Sequence, residues 1–467
     1  MKNFQFADLH CHPNLKAFGH SFDSRKSSKS DIWSASAPAF ISKKIHQYVG
    51  VTKFTQTDFT TLARSRAKIV FVSLYPLEKG YFLSRKLPPA LAAFIANWSV
   101  ELGYKRVRYL QQHTNYFDDL QNEYQFVVNS SRKRRVDNRD AEWVLTNNWE
   151  EVNAVLAKDG PMAVILTIEG GHVFNSGLSE YGANYKEEEI IANVYAVKNW
   201  AHVPAFVGLA HNFNNDLCGH ARSLHRLGSL VCQKKNLNNG LTPFGVNVIR
   251  SLLDDTCGKR IYIDMKHMSL QSRREYFSLL KTEYANQKIP LIVSHGSVTG
   301  TSLGGIKRSS NCADIFNDSD LNFFDEEIVG IAKSGGLFGL QMDTGNNADV
   351  KKLRIQSAFQ RKETPLERSA RIIWCQMQYV AELLDSHGLP AWNSISIGSD
   401  FDGNINPLPG ILTAADIQPL ATSLTALAEK FQASHALGLA VNRNMAASEV
   451  IHRFVFLNTV NFLRRFY

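Results

Sequence analysis

Phe4-Gln5-Phe6-Ala7-Asp8-Leu9-His10-Cys11-His12 decides how the rest of the chain is read. A short apolar run ends in Asp8-Leu9-His10-Cys11-His12. Side chains alternate along a strand with a period of two, so Asp8, His10 and His12 project to one face. Two imidazoles two residues apart at a strand's end can grip one metal ion together. A lone His-x-His is also a common pair of unrelated surface histidines, so the reading depends on whether further ligands recur at strand ends. They do.

Continuous apolar runs of strand length are what a parallel sheet covered on both faces requires. Eight are found, at Phe4–Leu9, Lys68–Leu74, Met162–Ile168, Ala205–Ala210, Arg260–Met265, Pro290–Val293, Gly336–Gln341 and Ser394–Gly398. Segments of helical periodicity lie between most of them, at Glu187–Ala201, Thr242–Asp254, Gln271–Ala285, Asp325–Ser334, Pro365–Leu384 and Ala414–Phe431. Thr242 and Asp325 read as N-caps. Eight strands alternating with helices is the count of an α/β (β/α)8 TIM barrel. A doubly wound sheet is the rival, but the Gly-rich phosphate turn expected after an early strand is missing from the sequence.

The chain has 467 residues, well above a typical barrel of about 250. The excess lies in two connections, roughly 20–67 and 75–160, which follow the first and second strands as insertions into a single domain spanning 1–467. Connections of this type emerge at the catalytic face, so both are lid or pocket-wall candidates. Ser27–Ser36, rich in serine and charge, reads as a mobile part of the first.

The net charge of +9 is spread over a long chain and is no nucleic-acid signature. Its densest cluster, Arg132-Lys133-Arg134-Arg135, reads as a solvated loop. Six scattered cysteines fit free thiols in a reducing compartment. No run approaches the roughly 18 apolar residues of a membrane span, and the first strand starts too early for a signal peptide. The expectation is a cytoplasmic protein acting on a small molecule, with no nucleic-acid or membrane partner and a homodimer as its candidate assembly. Phe454–Tyr467 reads as an amphipathic closing helix.

Strand ends carry the chemistry. His10 and His12 end the first, Glu169-Gly170-Gly171 follows the third, and His211 follows the fourth. Asp264 and His267 follow the fifth, Ser294-His295 the sixth, and Gly398-Ser399-Asp400-Phe401-Asp402-Gly403 the eighth. A barrel brings such ends to one mouth. Each residue alone has a structural explanation: a hydrogen-bonded histidine, a helix-start Glu169, a turn-capping Asp400. Six such ends out of eight favour a metal site suited to zinc, with iron, manganese or cobalt as alternatives.

On Glu169-Gly170-Gly171, His211, Asp264-x-x-His267, Ser294-His295 and Gly398–Gly403, the chain resembles the renal (membrane) dipeptidase family of the metal-dependent amidohydrolase superfamily. The resemblance runs from the first strand to the last, and the second insertion is its least comparable part. It implies two divalent metal ions, most readily zinc. His10 and His12 would hold one, His267 and His295 the other, with Glu169 bridging. It also implies attack by a metal-bridging hydroxide on an amide bond, His211 at the substrate carbonyl, and Asp400 as the proton carrier. Asp8 and Asp264 look like framework acids behind the ligands.

Two departures stand out. The family's first-strand pattern is His-x-Asp, whereas this chain has His10-x-His12, which makes the site one unit more positive. The family arginine that holds a dipeptide's terminal carboxylate falls on Leu321, beside Asn322; Lys307 or Arg308 would have to replace it. The leading expectation is therefore a binuclear, dipeptidase-type amide hydrolase. The alternatives are an amidohydrolase acting on a cyclic amide, lactone or ester, and a catalytically silent metal-binding protein.

Overall fold

The computed structural model describes residues 4–38, 52–83, 86–224, 231–307, 313–349, 352, 363–434 and 437–467. All eight apolar runs form strands. In chain order the strands are β1 (Phe6–Cys11), β2 (Ala67–Leu74), β3 (Lys133–Val136), β4 (Arg139–Leu145), β5 (Met162–Ile168), β6 (Phe206–Gly208), β7 (Tyr262–Asp264), β8 (Ile292–Gly296), β9 (Leu337–Leu340) and β10 (Ile395–Ile397). The main path runs β1-β2-β5-β6-β7-β8-β9-β10. A parallel bridge from Phe401 to Cys11 carries the last strand back towards the first, and the fold is a (β/α)8 barrel. β1, β2 and β5 are buried at every residue, as their unbroken apolar character demands.

The chain divides into two compact units. The first comprises Met1–Cys11, Thr61–Val70 and Pro290–Tyr467. Here β9 and β10 pair in register, Ile395 opposite Phe338 and Ile397 opposite Leu340. Between β8 and β9 the register slips after Val293 and resumes at Gly296, so Ser294 and His295 sit on an irregularity that re-aims their side chains. Gly398 has no room for a side chain, because a Cβ there would overlap the Ser294 carbonyl oxygen. Helix Pro365–Ser386 starts with a reciprocal cap: Thr364 N–H donates to Glu367 Oε2 (2.8 Å) and Glu367 N–H to Thr364 Oγ1 (3.2 Å). Asp325 is not an N-cap. It is the first helical residue of Asp325–Ser334, and Glu327 accepts from the N–H of Phe324 at the cap position (3.0 Å). Its own carboxylate accepts from Tyr379 Oη instead (2.8 Å). The closing segment winds as one π turn, Arg453–Leu457, and the helix Asn458–Phe466.

The second unit comprises His12–Thr60 and Phe71–Ile289. β6 pairs with β7 along its whole length, Gly208 opposite Asp264. Thr242 caps helix Pro243–Leu253 as its sequence implies, accepting from Gly245 N–H at 2.9 Å. The basic cluster is no loop. Lys133–Val136 is β3, paired antiparallel with β4, and its alternation of long side chains with a partner strand carries Lys133 opposite Glu142. The Ser27–Ser36 stretch contains buried Ile32 and Trp33, and Trp33 Nε1 donates to Ser131 O (2.6 Å). The second insertion folds into helices Pro89–Val100, Tyr104–Gln112 and Tyr116–Asn129. The first two are held together by an apolar cluster that includes Tyr75, Leu77, Phe82, Ala93, Leu102, Val107 and Leu110. A buried ion pair, Arg106 to Asp119, ties the second of these helices to the third.

Among the described residues no helix is long and apolar enough to cross a membrane.

Candidate metal centre and active site

In the first unit, three strand ends converge on one group of donors. His10 at the end of β1, His295 on the β8 irregularity and Asp400 after β10 are buried, and their ligand atoms lie within 4.8 Å of one another. The His10 and His295 rings stack at 4.1 Å. Their Nε2 atoms stand 3.9 and 3.8 Å from the two oxygens of Asp400. Those separations exceed hydrogen-bond length, and the three donors stay close enough together to share one ion. Such a donor set fits a cation of zinc type.

The backbone around Asp400 is built to hold that position. Asp400, Asp402 and Asn404 have φ of 60°, 63° and 67°, a left-handed conformation costing a non-glycine residue roughly 1–2 kcal/mol each. Hydrogen bonds offset it. Asp400 N–H donates to His10 O (2.9 Å), and Ser399 N–H to Asp8 Oδ1 (2.9 Å), with Ser399 Oγ donating to the other Asp8 oxygen. Asp8 is thus a framework acid, as expected. Gly403 lies where any Cβ would overlap Asp400 Oδ1. Gln341, just past β9, donates to Asp400 Oδ2 (2.6 Å) and accepts from Asn346 Nδ2 (2.8 Å). Asn322 in turn donates to Asn346 O (2.8 Å). Leu321 beside it is buried, so the position where the resemblance expects a cationic anchor is apolar. Lys307 is exposed, and Arg308 lies outside the described residues.

In the second unit Glu169, directly after β5, is the hub. His12 Nε2 is 3.1 Å from its Oε2, while His211 and His267 Nε2 are 3.4 and 3.5 Å from its Oε1. Glu169, His211 and His267 form a second buried group of potential ligands. His12 Nδ1 lies 3.2 Å from the Ser73 carbonyl, which can only accept. That contact places the proton on Nδ1 and turns Nε2 towards Glu169. His267 takes φ of 65°, a second left-handed non-glycine residue at a ligand position. Asp264 accepts from Lys266 N–H (3.0 Å), shaping the turn that presents it.

Within the second unit His267 is grouped with Glu169 and His211, and within the first His295 is grouped with His10 and Asp400. The second unit also holds residues that strand-end reading missed. Glu78, buried in the second insertion, lies 2.6 Å from His211 Nδ1. Tyr75 Oη donates to Glu78 Oε2 (3.1 Å) and lies 2.9 Å from the same His211 nitrogen. Asn212 donates to the Tyr81 hydroxyl.

Electrostatics follow this layout. Burial works against a proton on His211, but Glu169 and Glu78 on its two sides outweigh burial and raise it to about 10. Burial works against charge on Glu78 too, and the neighbouring His211 outweighs it, lowering Glu78 to about 2. His267 is pushed down to about 3 by burial and by the charge of His211, which keeps it a neutral, lone-pair-bearing imidazole.

No family model and no curated protein matches the sequence. Solved structures do resemble the fold. One is the dipeptidase AC, a metallopeptidase, with TM-score 0.53 and 13% identity over 100% of this chain and 99% of that one. Another is a metallopeptidase from Rhodobacter sphaeroides liganded with a phosphinate mimic of the dipeptide L-Ala-D-Ala, with TM-score 0.54 and 12% identity over 100% of both chains. The chain therefore shares the barrel fold of these two metallopeptidases. At these identities the likeness is one of fold, and the chemistry must be argued from the residues.

Proposed function

We propose that this protein is a binuclear metallohydrolase of dipeptidase type that cleaves an amide bond in a small molecule. The observation that carries the proposal is the pair of buried groups, His10-His295-Asp400 and Glu169-His267-His12, the latter with His211 beside it facing the substrate. Four or more imidazoles with carboxylates suit zinc best. Bound there, divalent ions supply Lewis-acid polarisation and bring the pKa of water towards neutrality.

The chain's own residues do the rest. Asp400 accepts the proton of the attacking water and delivers it to the leaving amine. Gln341, donating to its Oδ2, fixes the carboxylate plane for both transfers. His211 presents Nε2 to the oxygen that becomes negative in the tetrahedral intermediate. With Leu321 buried where a cationic anchor is expected, a substrate without a free carboxylate also suits the site. That favours a cyclic amide, lactone or ester as the second reading.

Hydrolysis of L,L- and L,D-dipeptides should be compared with hydrolysis of their C-terminal amides, with metal content measured on the same preparation. About two transition-metal ions per chain and amide cleavage are expected. A protein that takes up no metal after metal-supplemented expression sinks the proposal, and cleavage confined to lactones or cyclic amides selects the second reading.

A further inference from the structure

We infer that Glu78 is a positioning residue that aims His211 at the reacting carbonyl. This inference rests on the proposed hydrolysis and assigns its orienting step to the insertion after β2. An imidazole has its two nitrogens on different edges of a rigid ring, so fixing Nδ1 fixes where Nε2 points. Glu78 Oε2 sits 2.6 Å from His211 Nδ1, and both side chains are buried. Tyr75 Oη closes a three-membered contact, donating to Glu78 Oε2 and lying 2.9 Å from His211 Nδ1.

The same carboxylate holds the backbone that follows His211. Phe213 N–H donates to Glu78 Oε1 (3.0 Å) and Asn212 N–H to Oε2 (3.4 Å). Glu78 therefore fixes the loop after β6 and the ring it carries in one set of bonds. His211 Nε2 is then left 3.4 Å from Glu169 Oε1, on the side of the ligand group. A carboxylate that served only to satisfy two buried amides would have no need to approach Nδ1 more closely than either amide. The insertion after β2 thereby becomes part of the catalytic apparatus.

The test is a double-mutant cycle on the metal-loaded protein, using the best dipeptide substrate of the panel. Glu78→Ala is expected to lower kcat about 100-fold while KM and metal content stay within threefold. Glu78→Gln, whose one carbonyl oxygen can still accept from Phe213 N–H, is expected to lose less. In a His211→Ala background, either Glu78 substitution is expected to change kcat by less than threefold, because the group it orients is gone. An undiminished loss in that background overturns the inference, since Glu78 would then act without His211. Should Glu78→Ala fail to fold, the cycle is completed with Glu78→Gln.

A second readout is independent of turnover. In protein labelled with 15N-histidine, the Nδ1–H signal of His211, identified by its loss in His211→Ala, is expected far downfield and shifted in Glu78→Gln. An unshifted signal overturns the inference even if no substrate is found. If the wild-type protein hydrolyses nothing in the panel, the proposed function fails, and the shift of this signal alone decides the inference.

Discussion

The two donor groups are built by different means. His10, His295 and Asp400 stand on strand ends of the first unit and are fixed by backbone: a β8 irregularity, a run of left-handed residues, and the Asp8–Ser399 clasp. Glu169, His211 and His267 also follow strands, but His211 is fixed by side chains from an insertion, Glu78 and Tyr75. A donor held by backbone is legible in local sequence, because strand, turn and glycine requirements mark it. The groups that fix a donor from a remote insertion carry no such local mark, although the donor itself does. The contrast also sets how each group should respond to perturbation.

The largest effects come from removing one ligand in each group. His295→Ala and His267→Ala should each abolish turnover and lower metal content from about two ions per chain to about one, read by elemental analysis. If either substitution empties both positions, the groups are one interdependent site and the comparison fails. Next, Asp400→Asn should cut kcat about 1,000-fold with both ions retained, because the proton acceptor is lost while an oxygen donor remains. Loss of an ion from this variant would mean that Asp400 serves the His10–His295 group only as a metal ligand, and would move the proton carrier elsewhere.

How much of this was legible follows the same divide. All eight barrel strands are readable from their unbroken apolar runs, since burial on both faces leaves no other composition. His10, His12, Glu169, His211, His267, His295 and Asp400 are readable because each is a metal-ligating type placed within three residues of the end of such a run. The strand ends after β2 and β9 looked empty, yet they supply Glu78 with Tyr75 and Gln341. Gln341 is the last residue of its apolar run and escaped because an amide is no metal ligand. Glu78 lies four residues past β2, where a chain folds back by contacts that no period encodes. The hairpin of β3 and β4 was hidden for a related reason: Lys133, Arg134 and Arg135 are exposed, so that strand lacks the apolar alternation that marks a half-buried one.

A smaller effect should follow from Gln341→Leu, which takes the hydrogen bond from Asp400 Oδ2 but leaves its backbone clasp intact. A loss of kcat of about tenfold is expected, at unchanged metal content. A loss as large as that of Asp400→Asn would mean that side chains, not backbone, hold the first group, and the contrast between the groups would collapse.

The smallest effect on turnover, and the sharpest on the insertion, is expected from Glu123→Gln. Glu123, on helix Tyr116–Asn129, accepts from Tyr75 N–H (2.9 Å) and from Asn14 Nδ2 (2.5 Å), so it ties the insertion to the end of β2 and to the segment after His12. Burial, with repulsion from Asp119, raises its carboxyl to about 8. A carboxyl whose folded pKa lies above its unfolded value favours the native state in its protonated form. Its contribution is complete below about 4.5, the unfolded value, and declines as pH rises, being lost once pH passes about 8. Native stability should fall by up to about 1.4 kcal/mol per pH unit over that window on this account. Glu123→Gln keeps a neutral side chain of the same shape at every pH. Thermal unfolding should therefore show the variant gaining on wild type from pH 6 to pH 9, with hydrolysis at neutral pH preserved. A constant offset between the two proteins across that range would mean that Glu123 is charged in the native state and holds the insertion as a carboxylate.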